Sequence, residues 1–517
     1  MRKTDIAVIG GGAACVSFLH HLVGSMDSAT ASRVRLRIFE SRARIGPGLA
    51  YQGDCESVLL NRGAQTMSAS AQEAGAFALW LRWKAMNAED IRPWAASDLA
   101  SAFIPRPIFG MFLEDFAVEA RKCALKKGLE IQVIHQEVIS IEKGHRLHIQ
   151  TAEETIPADH VLLAIGSAGS VDAYGLRGVQ GYFHSPYPLQ QELPRLLKAS
   201  NVCIIGSGLT AVDVAVTLKQ AGYAGCIDMF SRSGRLPFIR GAQVRQHTLR
   251  DATKSALELL AKKGPGTTSL RQLLRLLRQE LASQGACWKS LFSQHADAHA
   301  LLRTQLSAES SVIPWQLVLA STNDVIELAW HVLSPSAQRL VLERFYADWM
   351  CKRAPMPRVN AKLILDMMDQ GQLRVLKGAA RFMATGGRGF IACDHLDSGQ
   401  SIRYDAVINA TGATRHIPAN PDSPLLRRLL RDGHAMPDWR GGLCVDFHTG
   451  ALIDAGGAPD PRLRAVGHLT CGTYFFVSSL EMIAKRAARI ATQLVEEIRG
   501  ELQRPMQTSA DCVSEQA

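Results

Sequence analysis

The chain has 517 residues, 47 % apolar and 21 % charged, an ordinary globular composition with length for roughly two to four domains. No unbroken apolar run reaches membrane-spanning length, and eleven cysteines without a C-x-x-C pair argue against a disulfide framework or a zinc site and fit a cytoplasmic protein. The formal net charge of +10 favours anionic ligands such as dinucleotides or an acidic carrier protein; with no dense basic run and no nucleic-acid motif, neither nucleic acid nor membrane is expected as a partner, and homo-oligomerisation stays open.

The first element is an apolar strand, Asp5 to Ile9, that runs into Gly10-Gly11-Gly12 and then Ala13-Ala14-Cys15. Arg2 and Lys3 before an apolar run also suggest a signal peptide, and Ala13-Ala14-Cys15 half of a lipoprotein site. Three glycines break the apolar core, however, and Gly12 stands where a lipoprotein site wants Leu. Val16, Phe18, Leu19, Leu22 and Val23 follow at helical spacing. Strand, glycine turn and helix make a dinucleotide cradle: Gly10-x-Gly12 lets the backbone approach a pyrophosphate, and the free N–H groups around Ala13 and Ala14 face it. The third fingerprint position is Cys15, small but neither Gly nor Ala. After a polar stretch at 24–32, expected to be an inserted loop, a strand Val34–Phe39 ends at Glu40, followed by Arg42. An acidic tip suits ribose hydroxyls.

A second cradle follows. Val202 to Ile205 lead into Gly206-Ser207-Gly208-Leu209-Thr210-Ala211 and another helix. The next strand, Cys226–Phe230, ends in Ser231-Arg232-Ser233-Gly234-Arg235, with no acidic residue. Arginine suits a 2′-phosphate, so NADPH is expected here and FAD at the first cradle, with surface arginines as the plain alternative. Strands ending near Gly166 and at Thr411-Gly412 read as crossings between two domains. Gly467 and a long helix over 478–501 stand where the flavin ring would be contacted.

Several segments carry a family resemblance: Gly46-Pro47-Gly48-Leu49-Ala50-Tyr51, Leu59-Leu60-Asn61 through Met67-Ser68, Ile104-Pro105-Arg106 through Gly110, Leu209 to Val214, and Ser231-Arg232. They are similar to the FAD/NAD(P)-binding proteins of the flavin monooxygenase superfamily, including the lysine and ornithine N-monooxygenases. Gly181-Tyr182-Phe183-His184-Ser185-Pro186-Tyr187 is similar to the second half of the linker motif of class B monooxygenases; its first half is replaced by Gly175-Leu176-Arg177. The resemblance implies Asn61 near the reactive edge of the flavin and His184 at the hinge, positioning NADP(H). It also implies contacts to the cofactors from Met67, Arg106 and Ser478; Arg106 reads equally as a bridge at the domain interface.

The expected fold is α/β: two Rossmann-like dinucleotide-binding domains with a helical insertion. The segments are 1–190 (FAD, first part), 191–244 (NADPH, first part), 245–350 (helical insertion), 351–404 (NADPH, second part), 405–502 (FAD, second part) and 503–517 (tail). Gly264-Pro265-Gly266 should break the insertion's first helix from its second, and Trp315, Trp330, Phe345, Tyr346 and Trp349 read as core or as a pocket lining. Arg353 to Asn360 resembles the family's return crossing, a basic segment near the cofactors. The implied activity is NADPH- and O2-dependent N-hydroxylation of an amine or amino acid, free or carrier-bound, through a flavin C4a-hydroperoxide. The rivals are a flavin reductase or oxidase and a non-catalytic flavin-bound sensor. No metal is called for.

Overall fold

The computed structural model describes residues 2–503 apart from 96, 97, 100, 101, 242–246, 263, 265, 293–296, 309–311, 379, 386–388, 395–400, 419 and 420. Two sheets organise it. The first has six strands in the order Ala451–Ile453, Pro459–Ala465, His160–Leu163, Thr4–Ile9, Val34–Phe39 and Glu130–Ile134. All neighbours are parallel except the antiparallel pair at 451–465. Its central strands are apolar on both faces because both are covered, one by helices and the other by the small antiparallel sheet Ser140–Lys143, Leu147–Gln150 and Thr155–Ala158 together with helix Pro424–Arg431. On one face Phe18, Leu19 and Leu22 of helix Ala13–Ser25 share a core with Ile490, Leu494 and Ile498 of the C-terminal helix Leu480–Gln503. Each such side chain, fully buried, stabilises the fold by about 1.5–3 kcal/mol.

The second sheet has five parallel strands in the order Leu373–Lys377, Cys226–Ser231, Asn201–Ile205, Ala406–Asn409 and Tyr182–Phe183. Helices Leu209–Gln220 and Arg358–Asp369 cover it, with Val212, Val216, Ile364 and Met367 in one cluster. The domain borders set at 190/191 and 404/405 therefore move. Tyr182-Phe183 already pairs with Val407-Ile408, and Ala406–Asn409 still belongs to the second sheet. Backbone pairing across sequence-distant strands decides this, and composition does not register it.

The stretch 24–32 is also more ordered than an inserted loop. The first helix runs to Ser25, and a short helix, Ser28–Ala31, is capped by Asp27 accepting from Thr30 N–H. Between the halves of the second unit, 254–353 form a run of short helices. Of the Gly264-Pro265-Gly266 break, Pro265 lies outside the described residues, while Gly264 (φ +103°) and Gly266 (φ +73°) adopt the left-handed backbone that ends a helix. Of the tail 503–517, residues 504–517 lie outside the described residues. No helix among the described residues is long and apolar enough to cross a membrane.

Candidate functional site: two cradles and the junction between them

Both glycine turns sit at the carboxyl ends of their sheets, where a switch in strand order leaves a crevice. Gly10 has φ +99°, and a Cβ on it would lie 2.6 Å from the Ala164 carbonyl oxygen; Gly206 has φ +117°, with the Ala410 oxygen 2.7 Å away. Only glycine fits either position. Gly12 and Gly208 cap their helices with the same backbone, φ −80° and ψ −167°, and no side chain satisfies the first N–H groups. The helix N-termini at Ala13-Ala14 and Leu209-Thr210 thus keep free donors and a positive dipole end for a phosphate.

At the first cradle Glu40 is buried, accepting from Gly11 N–H at 2.8 Å and from the backbone and guanidinium of Arg42 at 2.9–3.0 Å. Burial would raise its carboxyl, but the Arg42 and Gly11 hydrogen bonds outweigh that and hold it below the usual range. Cys15 at the third fingerprint position is fully buried, its thiol pushed up to about 12 by burial and then by Glu40, so it packs rather than reacts. A cavity of about 550 Å³ opens beside the turn, lined by Arg42, Arg44, Gly48, Tyr51, Gly110 and Glu114 among others. Gly48 also closes on Gly12, whose Cβ would stand 3.4 Å from the Gly48 Cα.

At the second cradle Ser231 receives hydrogen bonds from Ser207 Oγ (2.7 Å) and Gly234 N–H (3.0 Å), which shape the tip loop. Arg232 is exposed, with no ion pair among the described residues. Arg235 is different: it is tied to Asp348 of the helical insertion. The structure thus separates the two arginines that sequence reasoning treated alike.

Gly166, Gly412 and Gly467 all have positive φ (79°, 77° and 83°), with nothing within 4 Å of where a Cβ would be, so they leave open space at the strand ends. Thr411 is tied to the Asn409 side chain, Met67 is buried in the core, and Ser478 is exposed just before the C-terminal helix. His184 sits where the chain enters the second unit, next to strand Tyr182–Phe183. Both its ring nitrogens are buried without a hydrogen-bond partner among the described residues. Arg106 takes the interface role. It donates to Asp213 (2.7 Å), Tyr187 Oη (3.3 Å) and the Leu59 carbonyl (3.2 Å), and Tyr187 donates to the same Asp213 oxygen at 2.5 Å. A helix start of the first unit is so locked to the second cradle's own helix.

Asn61 lies at the junction. Its carbonyl accepts from Arg240 Nε at 2.9 Å, and its carboxamide makes no hydrogen bond within the described residues. Sequence reasoning missed Arg62, Arg240 and Glu481 here, because residues so far apart in the chain carry no local pattern. It also missed Phe475, the one described non-glycine residue with positive φ (64°). Phe476 N–H bonds back to the Tyr474 carbonyl at 2.7 Å, a tight and costly turn. Trp330, Trp349, Tyr346 and Arg415 pack around the Phe475 ring, and Phe476 lies under Arg353. Of the five aromatics singled out, Trp315 and Trp330 are core, Tyr346 and Trp349 join this cage, and Phe345 is exposed.

The family model described as FAD-NAD(P)-binding matches residues 7–168, which hold the first cradle. Over the whole chain the fold is that of solved two-dinucleotide-domain flavoproteins. The L-lysine 6-monooxygenase of Pseudomonas syringae is similar over 96 % of this chain and 99 % of its own, with TM-score 0.58 and 14 % identity. Reduced ornithine hydroxylase from Pseudomonas aeruginosa covers 96 % and 100 %, with TM-score 0.55 and 14 % identity. The FAD-bound cadaverine monooxygenase of desferrioxamine biosynthesis from Erwinia amylovora covers 98 % of each chain, with TM-score 0.52 and 12 % identity. No curated protein gives a significant sequence match.

Proposed function

We propose that the protein is an FAD-dependent, NADPH-consuming monooxygenase that N-hydroxylates an amine or amino acid. One observation carries the reading: two cradles of the same backbone end in opposite chemistry, a buried carboxylate at Glu40 and, at Arg232, an exposed guanidinium with no ion pair among the described residues. The first fits ribose hydroxyls and the second a 2′-phosphate. The residues present fit both dinucleotides, since Gly12 and Gly208 leave the helix N-termini at Ala13 and Leu209 without a side-chain cap, as a pyrophosphate site requires. Bound flavin would supply hydride acceptance and oxygen activation. Gly10, Gly12, Ala13, Ala14, Glu40, Arg42, Met67, Gly166, Gly467 and Ser478 would serve the FAD side. Gly206, Gly208, Leu209, Thr210, Ser231, Arg232, Thr411 and Gly412 would serve NADPH.

In this reading the chain's own groups position and exclude water rather than attack. Asn61 offers an uncharged carboxamide at the junction and His184 two ring nitrogens at the hinge, none of them with a hydrogen-bond partner among the described residues. The lysine, ornithine and cadaverine enzymes of the same fold support an amine as acceptor. The described cysteines are all free, which fits action in the cytoplasm. The test is to reduce the flavin-loaded chain anaerobically with NADPH, admit O2 with a panel of amines, and measure hydroxylamine product. Product in step with NADPH consumed supports a monooxygenase. Peroxide without product across the panel favours an oxidase, and no reduction by NADPH removes the reading.

A further inference from the structure

Three arginines from distant parts of the chain meet beside Asn61. Arg62 follows it directly, Arg240 donates to its carbonyl, and Arg353 ends the last helix of the insertion. The anions near them are few. Glu481 accepts from Arg62 (2.9 Å), Asn323 Nδ2 (2.8 Å) and Lys485 (2.8 Å), and Asp324 accepts from Lys485 (2.7 Å). Among the described residues four cations, Arg62, Arg240, Arg353 and Lys485, thus share two carboxylates, leaving two positive charges unmatched. Arg353 is 8 % exposed; one of its terminal nitrogens binds the neutral Asn323 oxygen, its guanidinium lies 4.5 Å from the Phe476 ring centre, and its Nε is buried with no partner. The terminal nitrogens of Arg240 make no hydrogen bond within the described residues. Burial, and then the neighbouring arginines, pull Arg240 down to about 9; burial, and then Arg62, pull Arg353 down to about 10. Buried guanidinium groups without counter-ions are costly, and such a cost persists where a ligand removes it.

We propose that Arg62, Arg240 and Arg353 form a binding site for an oxyanion carrying up to two negative charges, a phosphate monoester or a pair of carboxylates, on the substrate. The acceptor would then be an acidic amine, unlike cadaverine. The oxyanion would be anchored between Arg353 and Arg240, with Asn61 alongside. The neutral Asn323 and the Phe476 face help hold Arg353 without quenching its charge, as an anion site requires. The site joins the loop of the first unit, the segment leaving the second cradle and the helical insertion, so occupancy would tie the three together. Only the identification of the occupant as substrate rests on the proposed function.

The test is calorimetric titration of inorganic phosphate and of succinate into the purified full chain, with and without saturating NADP+. Both anions should bind, NADP+ should not displace them, and Arg240→Met and Arg353→Met should each weaken binding about tenfold or more, the size of one lost charged hydrogen bond. Without added anion, Arg240→Met should melt no lower than the parent, because it relieves a like-charge burden. Phosphate should then stabilise the parent and not the variant. No binding, or binding unchanged in both variants, overturns the proposal. A lower melting point with unchanged affinity makes Arg240 a purely structural group and overturns it too. Displacement by NADP+ that Arg240→Met abolishes assigns the cluster to the nicotinamide cofactor's phosphates and overturns the substrate assignment. If the chain binds these anions as expected but forms no hydroxylamine, the proposed function fails and the anion site stands.

Discussion

The two cradles are a natural comparison within one chain. Their turns are built alike: Gly10 and Gly206 bond back to Phe39 and Phe230 at 2.8 and 2.7 Å, and Gly12 and Gly208 share one backbone conformation. Their surroundings are not. The first tip is a buried carboxylate held by four hydrogen bonds from Gly11 and Arg42, while the second is a loop whose one uncommitted guanidinium faces solvent. The first turn is closed over by Gly48, whereas nothing stands within 4 Å of a Cβ on Gly208. A glycine turn sets where a pyrophosphate can lie. The residue at the end of the next strand sets which dinucleotide, and the enclosure sets whether it stays. In the proposed reading the enclosed cradle would keep a resident flavin and the open one would admit a visiting nicotinamide.

The comparison can be broken at the turns themselves. Gly10→Val and Gly206→Val each force a Cβ into a carbonyl at a left-handed φ, and each should cost about 3 kcal/mol in denaturant unfolding. Equal losses would confirm that the turns are equivalent as structure. Gly208→Trp separates them as sites: its Cβ meets no neighbour, so the chain should fold and keep its flavin. NADPH reduction in stopped flow should slow more than about 100-fold, the loss of two or so charged contacts. Glu40→Gln should raise the flavin dissociation constant roughly tenfold without moving the KM for NADPH, since an amide cannot accept every hydrogen bond the carboxylate does. Arg232→Ala should narrow the preference for NADPH over NADH by roughly one order of magnitude. Arg235→Ala should narrow it less, because Asp348 already holds that charge.

The smallest effect is acid sensitivity. Glu40 is lowered in the fold, so its stabilisation is fully present above the unfolded carboxyl value of about 4.3 and drains as pH falls through its folded value. Glu40→Gln should flatten that part of the acid unfolding curve, and Ser231→Ala at the second tip should leave it unchanged.

Much of this was legible in the chain because it is local. Strand, glycines and helix occur together at 4–25 and again at 201–220, and the contrast of Glu40 with Ser231-Arg232 can be read in a few letters. The helical insertion is legible in Leu257 and Leu260, then Leu270, Leu273, Leu274 and Leu277, which recur at helical spacing. The unit borders were less legible, since Tyr182-Phe183 joins the second sheet by bonding to a strand more than two hundred positions later. Arg106 was left between a cofactor and an interface until Asp213 and Tyr187 came into reach. Arg235 looked as free as Arg232 until Asp348 was seen beside it.

The sequence alone therefore determined the two glycine turns and the chemistry of their tips, because glycine placement and strand ends are properties of neighbouring residues. Only the tertiary structure decided which charges are spent and which remain. Arg235 and Arg106 are matched by carboxylates from distant elements, while Arg62, Arg240 and Arg353 are brought together with too few. A charge's availability depends on which partner packs against it and how much water remains, and both are settled by contacts between residues far apart in the chain.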